Sequence, residues 1–406
     1  MQGARDMTEE TVLALNAGSS SIKFALFRRG DPPCELARGA LRRLGQPGTT
    51  LSVRREGENR PGVTPVPPHA DPVGFLLGWL RANLALDDIV AIGHRVVSGG
   101  PEHSVPEWLS PALLEDLRRY AFFAPDHMPA AIALIERLLA DLNLPQIVCF
   151  DTAFHAALPT EARLLPIPRR FAAQGIHRYG YHGLSYAYLM DRFRRQAGPE
   201  AAGGRIILAH LGSGSSLAAV SGGRSRDTTM SFTPNSGIPM GTRSGDIDPG
   251  IVEYLVAREG LAATEVHRLL AGQSGLLGLS ETTADMADLL ALAKKDERAA
   301  EAVAVYCYEI RKCIGAYAAA LGGIDTLIFS GGIGENAPEI RARICSGLGF
   351  LGIEIDHRRN TAGEERISPE AGRVGVHVFR TDEEVMIARA MFDMLQESRA
   401  AEGRRE

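Results

Sequence analysis

Two stretches of this chain read almost as one. Val12 to Leu26 is VLALNAGSSSIKFAL and Ile206 to Val220 is IILAHLGSGSSLAAV. Each is an apolar run, a Gly/Ser turn and a second apolar run, with Gly18 falling over Gly212, Ser19 over Ser213 and Ser21 over Ser215. Short apolar runs bounded by glycine and serine read as strands joined by a tight turn. Two buried hairpins can resemble each other by chance, but similarity at a long interval also marks a duplicated unit. A chain of 406 residues has room for two such domains.

Strands alternate with helices around these hairpins. Ile132, Ile135, Leu138, Leu139 and Leu142 recur at helical spacing over Ala131 to Leu142, and Gln146 to Phe150 is a short apolar run stopping at Asp151. Val303, Cys307, Ile310, Ile314, Tyr317 and Leu321 mark a one-faced helix closed by Gly322 and Gly323, before a strand over Ile324 to Phe329. The following Ser330 to Asn336 reads as a glycine turn, with Asn336 and Pro338 as N-cap and first turn of a helix over Glu339 to Ser346. Such alternation predicts α/β layers, in which ligands lie beyond the carboxyl ends of strands. Pro- and Gly-rich Gln46 to Asp71 reads as a loop or loose hairpin, and Ser398 to Glu406 as a frayed tail.

A net charge of −5 supplies no global positive field for nucleic acid or anionic membrane, so any anion site must be local. The five cysteines (Cys34, Cys149, Cys307, Cys313, Cys345) form no C-x-x-C pair, which argues against a disulfide framework or structural zinc and fits a reducing cytoplasm. Met1 to Thr11 lacks an apolar leader core, and no run reaches membrane-spanning length.

The turn Asn16 to Lys23 offers backbone N–H groups, hydroxyls and the point charge of Lys23 to a phosphate, although a solvated Gly/Ser turn is the plain alternative. Its echo over Gly212, Ser213, Gly214 and Ser215 favours two phosphate turns. Arg95 stands in an otherwise nearly apolar strand, Ile89 to Val97, so it needs either an anion or a structural carboxylate. Arg243 sits in Ser236 to Gly250, a long glycine-rich loop without periodicity. Two arginines suit phosphoryl transfer, which spreads charge over equatorial oxygens. Asp151 and Glu383 are candidate ligands for a hard divalent ion. Thr381 and Glu384 match a capping box at the start of a helix Val385 to Leu395, leaving Glu383 to point elsewhere. Of the 11 histidines, His127 and His182 stand in turn-like contexts, and none shows zinc spacing. Gly347 to Gly352 matches G-x-G-x-x-G after a helix rather than a strand, so it is set aside; Gly331, Gly332, Ile333 and Gly334 better suit a nucleoside.

Together, Asn16 to Lys23, His94 to Val97, Phe150 to His155, Arg178 to Gly183, Gly241 to Pro249, Gly331 to Asn336 and Thr381 to Glu384 resemble the acetate kinase family, in the family's order and over nearly the whole chain. The resemblance implies an α/β fold of two duplicated actin-like (ribonuclease H-like) domains around a nucleotide cleft. It implies residues 1–151 plus 385–406 as the first domain with the C-terminal helix, and 152–384 as the nucleotide-binding and dimerising second. The implied reaction is reversible, Mg²⁺- or Mn²⁺-dependent transfer between ATP and acetate, giving ADP and acetyl phosphate, in a cytoplasmic homodimer. By position, Asp151, Arg95, Arg243, His182 and His127 match catalytic groups, while Asn16 and Glu383 match the metal site. Lys23, Ser19, Ser21, His210, Gly212, Ser213, Gly214, Asp285, Met286, Gly332, Ile333, Gly334 and Asn336 match nucleotide and phosphate contacts. Arg95, Val97, Tyr181 and Pro234 match the carboxylate substrate's pocket.

The chain departs from the family's usual residues at Ser98, Asp126, Ser213, Ala287, Leu184, Tyr186 and Tyr181. Ala287 removes an arginine near the adenosine, and Asp126 and Tyr181 would make the acyl pocket more polar if they face it. A propionate or butyrate kinase of the same fold is the close alternative. An actin- or Hsp70-like ATPase switch, or a silent nucleotide sensor, are the distant ones.

Overall fold

The computed structural model describes residues 10–18, 21–44, 47–67, 70–83 and 88–404. They belong to two compact units, residues 1–153 with 382–406, and residues 154–381.

The first unit is built on β1 (Thr11–Ala17), β2 (Ser21–Arg28), β3 (Cys34–Arg42), β4 (Thr50–Arg55), β5 (Gly62–Pro65), β6 (Ile89–Val96), β7 (Glu107–Trp108) and β8 (Gln146–Phe150). They form one sheet in the order β5-β4-β3-β2-β1-β6-β8-β7. β1 runs antiparallel to β2 and parallel to β6, which is parallel to β8. Every residue of β1 is buried, which is why its sequence is a continuous apolar run rather than an alternating one. The Pro/Gly-rich insertion takes the hairpin form, β4 against β5. The last helix, Glu383–Glu402, meets β6 at Gly93, where a Cβ would stand 2.4 Å from the Ile387 side chain; only glycine admits that approach.

The second unit carries β9 (Arg205–Leu211), β10 (Ser215–Ser221), β11 (Arg224–Thr228), β12 (Thr326–Ser330) and β13 (Gly375–Val378), ordered β11-β10-β9-β12-β13. β9 is antiparallel to β10 and parallel to β12, which is parallel to β13. This order and polarity repeat β3-β2-β1-β6-β8 of the first unit, so the duplicated hairpin belongs to a duplicated sheet. The helix Glu297–Ala320 buries Val303, Cys307, Ile310 and Ile314 in the second core, as their spacing predicts.

Three local expectations are corrected. Gly331–Asn336 is itself a helix, and Asn336 closes it, its Nδ2 donating to the Gly332 carbonyl at 2.9 Å, instead of capping Pro338–Cys345. Gly331, at φ +77°, lets the chain turn directly out of β12; a Cβ there would lie 2.6 Å from the Leu211 carbonyl oxygen. Asp382, not Thr381, caps the last helix by accepting from the Val385 N–H at 3.1 Å. Thr381 instead donates to Ser185 Oγ at 2.7 Å, and Glu384 accepts from Arg38 at 2.6 Å. Finally, that helix continues through Ser398 to Glu402, with Arg399 ion-paired to Glu10, rather than fraying.

Candidate active site

Parallel strands bring three polar residues of the first unit to one edge of the sheet. Asn16 ends near the carboxyl terminus of β1 opposite Arg95 of β6, and Asp151 follows β8, its N–H bonded to the Val96 carbonyl at 3.0 Å. The Arg95 guanidinium grips both oxygens of Asp151, with Nε 3.0 Å from Oδ1 and Nη2 on Oδ2. Its Nη1 donates to Asn16 Oδ1 at 3.1 Å. Asn16 Nδ2 in turn donates to Glu383 Oε2 at 2.9 Å, an oxygen 3.5 Å from Arg95 Nε. Burial alone would weaken the guanidinium's hold on its proton; Asp151 and Glu383 outweigh it and keep Arg95 above its ordinary value. Asp151 is therefore the structural partner of Arg95, and the side chain is fully buried.

Arg38 fixes the remaining piece. It binds Asp382 and Glu384, both at 2.6 Å, and Glu35 at 2.7 Å, which pins the start of the last helix and with it Glu383. Asp151 and Glu383 suit a hard divalent cation: both are oxygen donors, and an ionised carboxylate has about four acceptor positions, of which Arg95 occupies two on Asp151. Asn16, expected at the metal site, has a second duty. Its carbonyl oxygen accepts from Arg95 and its Nδ2 donates to Glu383, so it also orders the carboxylates.

Of the other first-unit candidates, Ser19 lies outside the described residues. Ser21 is half-buried, Lys23 is exposed and Val97 is buried. His127 is half-buried at the start of the Met128–Asp141 helix, beside the exposed Asp126. Ser98 is buried and accepts from the Gly100 N–H at 3.2 Å.

The second unit gathers its candidates around the turn Gly212, Ser213 and Gly214. His182 precedes the Gly183–Ala202 helix in the left-handed region, φ +60°, a conformation histidine adopts more readily than most residues but at some cost. His210 stands on β9, and the two imidazoles stack with centroids 4.2 Å apart. His182 Nδ1 bonds Ser216 Oγ and His210 Nδ1 bonds Ser185 Oγ, each at 2.8 Å. The Nε2 atoms face the turn. A Cβ built on Gly214 would lie 3.4 Å from His182 Nε2 and 3.2 Å from Arg243 Nη1; one on Gly212 would lie 3.9 Å from His210 Nε2 and 3.8 Å from Gly332 N. The glycines thus leave open a space edged by imidazole, guanidinium and backbone donors, the furniture of an anion site. Ser213 accepts from Gly241 N–H at 3.0 Å, tying the long loop to the turn, and Arg243 Nη1 reaches the carbonyl of the buried Pro234 at 3.3 Å.

Other second-unit candidates have structural duties. Asp285 caps the Met286–Leu292 helix through the N–H groups of Ala287 and Asp288, and Met286 packs into the core. Ile333 packs against the core's edge, and the Gly334 carbonyl accepts from the buried Arg341 at 2.8 Å. Tyr181 is buried with its hydroxyl donated to the Phe232 carbonyl at 2.7 Å, so that polarity is spent on the backbone. Sequence reasoning missed Ser185, Ser216 and Glu335. Glu335 Oε1 accepts from Gly331 N–H at 3.0 Å and Thr381 N–H at 3.3 Å, bracing the glycine helix. Alternation along β10 was the available signal for Ser216: Ser215 bonds Tyr306 on one face, and Ser216 necessarily looks to the other.

A cavity of about 1050 Å³ in the second unit contains none of these residues. Its wall pairs Lys312 with Glu309 at 2.9 Å and Arg178 with Asp227 at 3.8 Å, and its third carboxylate, Asp246, accepts from the Gly237 N–H at 2.8 Å.

The sequence profile of the acetokinase family matches residues 11–389. The chain belongs to the acetokinase family. An acetate kinase of Rhodopseudomonas palustris is 42% identical over 392 residues, covering 94% of this chain and 97% of the relative. The crystal structure of Porphyromonas gingivalis acetate kinase superposes with a TM-score of 0.85 at 35% identity, covering 95% of this chain and all of that one. A propionate kinase from Francisella tularensis gives a TM-score of 0.87 at 36% identity, covering 94% and 98%. The duplicated sheets are therefore the acetokinase version of the actin-like fold.

Proposed function

We propose that this acetokinase moves a phosphoryl group reversibly between ATP and acetate, forming acetyl phosphate and ADP by direct in-line transfer. Carboxylate kinase chemistry follows from family membership, and the acetate kinase relative covering nearly the whole chain supports acetate as substrate. The observation that carries the site reading is the convergence of His182 Nε2 and Arg243 Nη1 on one point above Gly214.

A carboxylate is already ionised at neutral pH, so its oxygen needs no strong base to attack the γ-phosphorus. The new O–P bond forms as the bond to the ADP oxygen breaks, with no protein nucleophile. Arg243 and His182 donate to the equatorial oxygens, where charge spreads. His210, Gly212 and the Gly332 N–H hold the nucleotide's phosphates, and Lys23 adds a point charge in the first unit. Mg²⁺ or Mn²⁺, when bound, would supply positive charge to offset that of the nucleotide's phosphates. Asp151 and Glu383 would hold it, with Asn16 and Arg95 keeping their oxygens in place. Val97 in the first unit and Pro234 in the second are the buried apolar candidates for contact with the acyl methyl.

The Francisella relative favours a second reading, propionate as the preferred acid. Acyl phosphate formation from Mg-ATP and the C2 to C4 acids, trapped with hydroxylamine, decides between them. ATP hydrolysis without acid and without hydroxamate would refute both and favour a switch.

The helix Pro249–Ala257 buries none of its residues, leaving Ile251, Val252, Tyr254 and Val256 between 39% and 56% exposed. A helix so apolar needs a covering surface, and a second copy of this chain is the occupant we infer. Among the described residues no helix is long and apolar enough to cross a membrane.

A further inference from the structure

We propose that Tyr186 is a positioning residue that acts through Ser216 to hold His182 as the Nε2–H tautomer, so that a neutral N–H is aimed with Arg243 at the migrating phosphoryl group. This rests on the reading of His182 as a phosphoryl contact.

The observations are a chain of three groups. His182 Nδ1 lies 2.8 Å from Ser216 Oγ, which lies 2.5 Å from the Tyr186 hydroxyl. Ser216 and Tyr186 are both fully buried, so solvent cannot complete a half-made bond. Each hydroxyl carries one proton; Ser216 could accept from both sides, but its own proton would then have no acceptor among the described residues, so the chain has two settings. Either Tyr186 donates to Ser216 and Ser216 to a bare Nδ1, or all the arrows reverse. Reversal would leave the phenol proton in search of another acceptor. Among the described residues Ser216 Oγ is the one acceptor within hydrogen-bond reach of the buried Tyr186 hydroxyl, so the phenol proton goes to Ser216. Nδ1 of His182 must then be bare, and the ring's single proton sits on Nε2, on the side of Gly214 and Arg243.

A parallel relay stands beside it. Thr381 Oγ1 donates to Ser185 Oγ at 2.7 Å, leaving the Ser185 proton for His210 Nδ1 at 2.8 Å. Two stacked imidazoles, each bonded at Nδ1 to a serine that a second hydroxyl backs, present the same nitrogen to the same turn. A ring free to exchange tautomers would offer phosphate an acceptor lone pair for part of the time, which repels it.

The test uses the full chain with isotope-labelled histidine. Long-range proton–nitrogen correlation spectra distinguish bare from protonated ring nitrogens, and the signal that vanishes in His182→Gln assigns the residue. The expected parent spectrum shows His182 with bare Nδ1 and protonated Nε2. In Tyr186→Phe, which keeps the ring's packing, His182 should become a mixture of tautomers. The kcat should fall about three- to tenfold while both KM values stay within about twofold. Tyr186→Phe combined with Ser216→Ala should cost no more than Ser216→Ala alone. An unchanged His182 spectrum in Tyr186→Phe, or a parent spectrum with Nδ1–H, overturns the proposal. Should Tyr186→Phe fail to fold, Ser216→Ala reads the same relay by the same spectrum. Normal turnover in His182→Gln would instead sink the phosphoryl-contact reading, and the spectrum would still report the tautomer.

Discussion

Replacing Arg95 with methionine keeps the length of an apolar stem and removes the cation from the carboxylates it holds. Asp151 is then fully buried without its bidentate partner, and Asn16 Oδ1 loses its donor. Breaking a buried pair from one side costs about 3–5 kcal/mol. At about 2–4 °C per kcal/mol for a unit of this size, the melting temperature of the first unit should fall by roughly 6–20 °C. Both tryptophans, Trp79 and Trp108, lie in that unit, so their fluorescence follows its unfolding apart from the second unit's. Adding Asp151→Leu strands no charge on β8 and should recover most of the loss, short of full recovery because Glu383 also loses its neighbour. Neither variant should turn over. A shift below about 2 °C for Arg95→Met, or a double variant no more stable than the single, would refute the picture of Arg95 as the buried counter-charge.

Arg243→Ala should lower kcat by about 10³ to 10⁵, as for arginines on a migrating phosphoryl group, while calorimetric ATP affinity changes little; near-normal turnover removes Arg243 from the reaction. His94 and His155 are buried and pushed down to about 4, against an ordinary 6.5. Between those values the unfolded chain binds the extra proton. Stability is therefore complete above about pH 6.5 and declines as pH falls towards 4, by up to about 1.4 kcal/mol per pH unit per histidine. Urea midpoints from pH 7 to 5 measure the slope, and His155→Gln should flatten it; an equal slope in the variant contradicts the assignment. Ile251→Asp with Tyr254→Lys should shift the particle from two copies to one in light scattering, and an unaltered mass places the interface elsewhere.

The duplicated hairpin was legible because a buried strand and its glycine turn are written in contiguous residues. Arg95, Asp151 and Glu383 were legible as charges at the ends of apolar runs. What escaped were choices between neighbours settled by distant partners. Thr381 and Asp382 are both competent caps; Ser185, far back in the chain, claims Thr381, and Arg38 claims Glu384. Asn336 looked like a helix start because Pro338 follows it, yet the glycine stretch winds into a helix braced by Glu335. The serine relays were invisible because a hydroxyl on a strand, as Ser216, or a helix, as Ser185, carries no mark of which imidazole it will meet.

The first unit is assembled from both ends of the polypeptide, whereas the second is one unbroken stretch. During synthesis, residues 10–153 emerge with the Gly93 face of β6 bare, since Ile387 and the rest of its helix have yet to be made. At elongation rates of about 5–20 residues per second, the intervening 154–381 occupies the ribosome for roughly 10–45 s. The contiguous half can close its own core in that interval. The earlier-made half must wait with an open apolar surface, which makes it the natural client of chaperones and the place where truncation near the carboxyl terminus does the most harm.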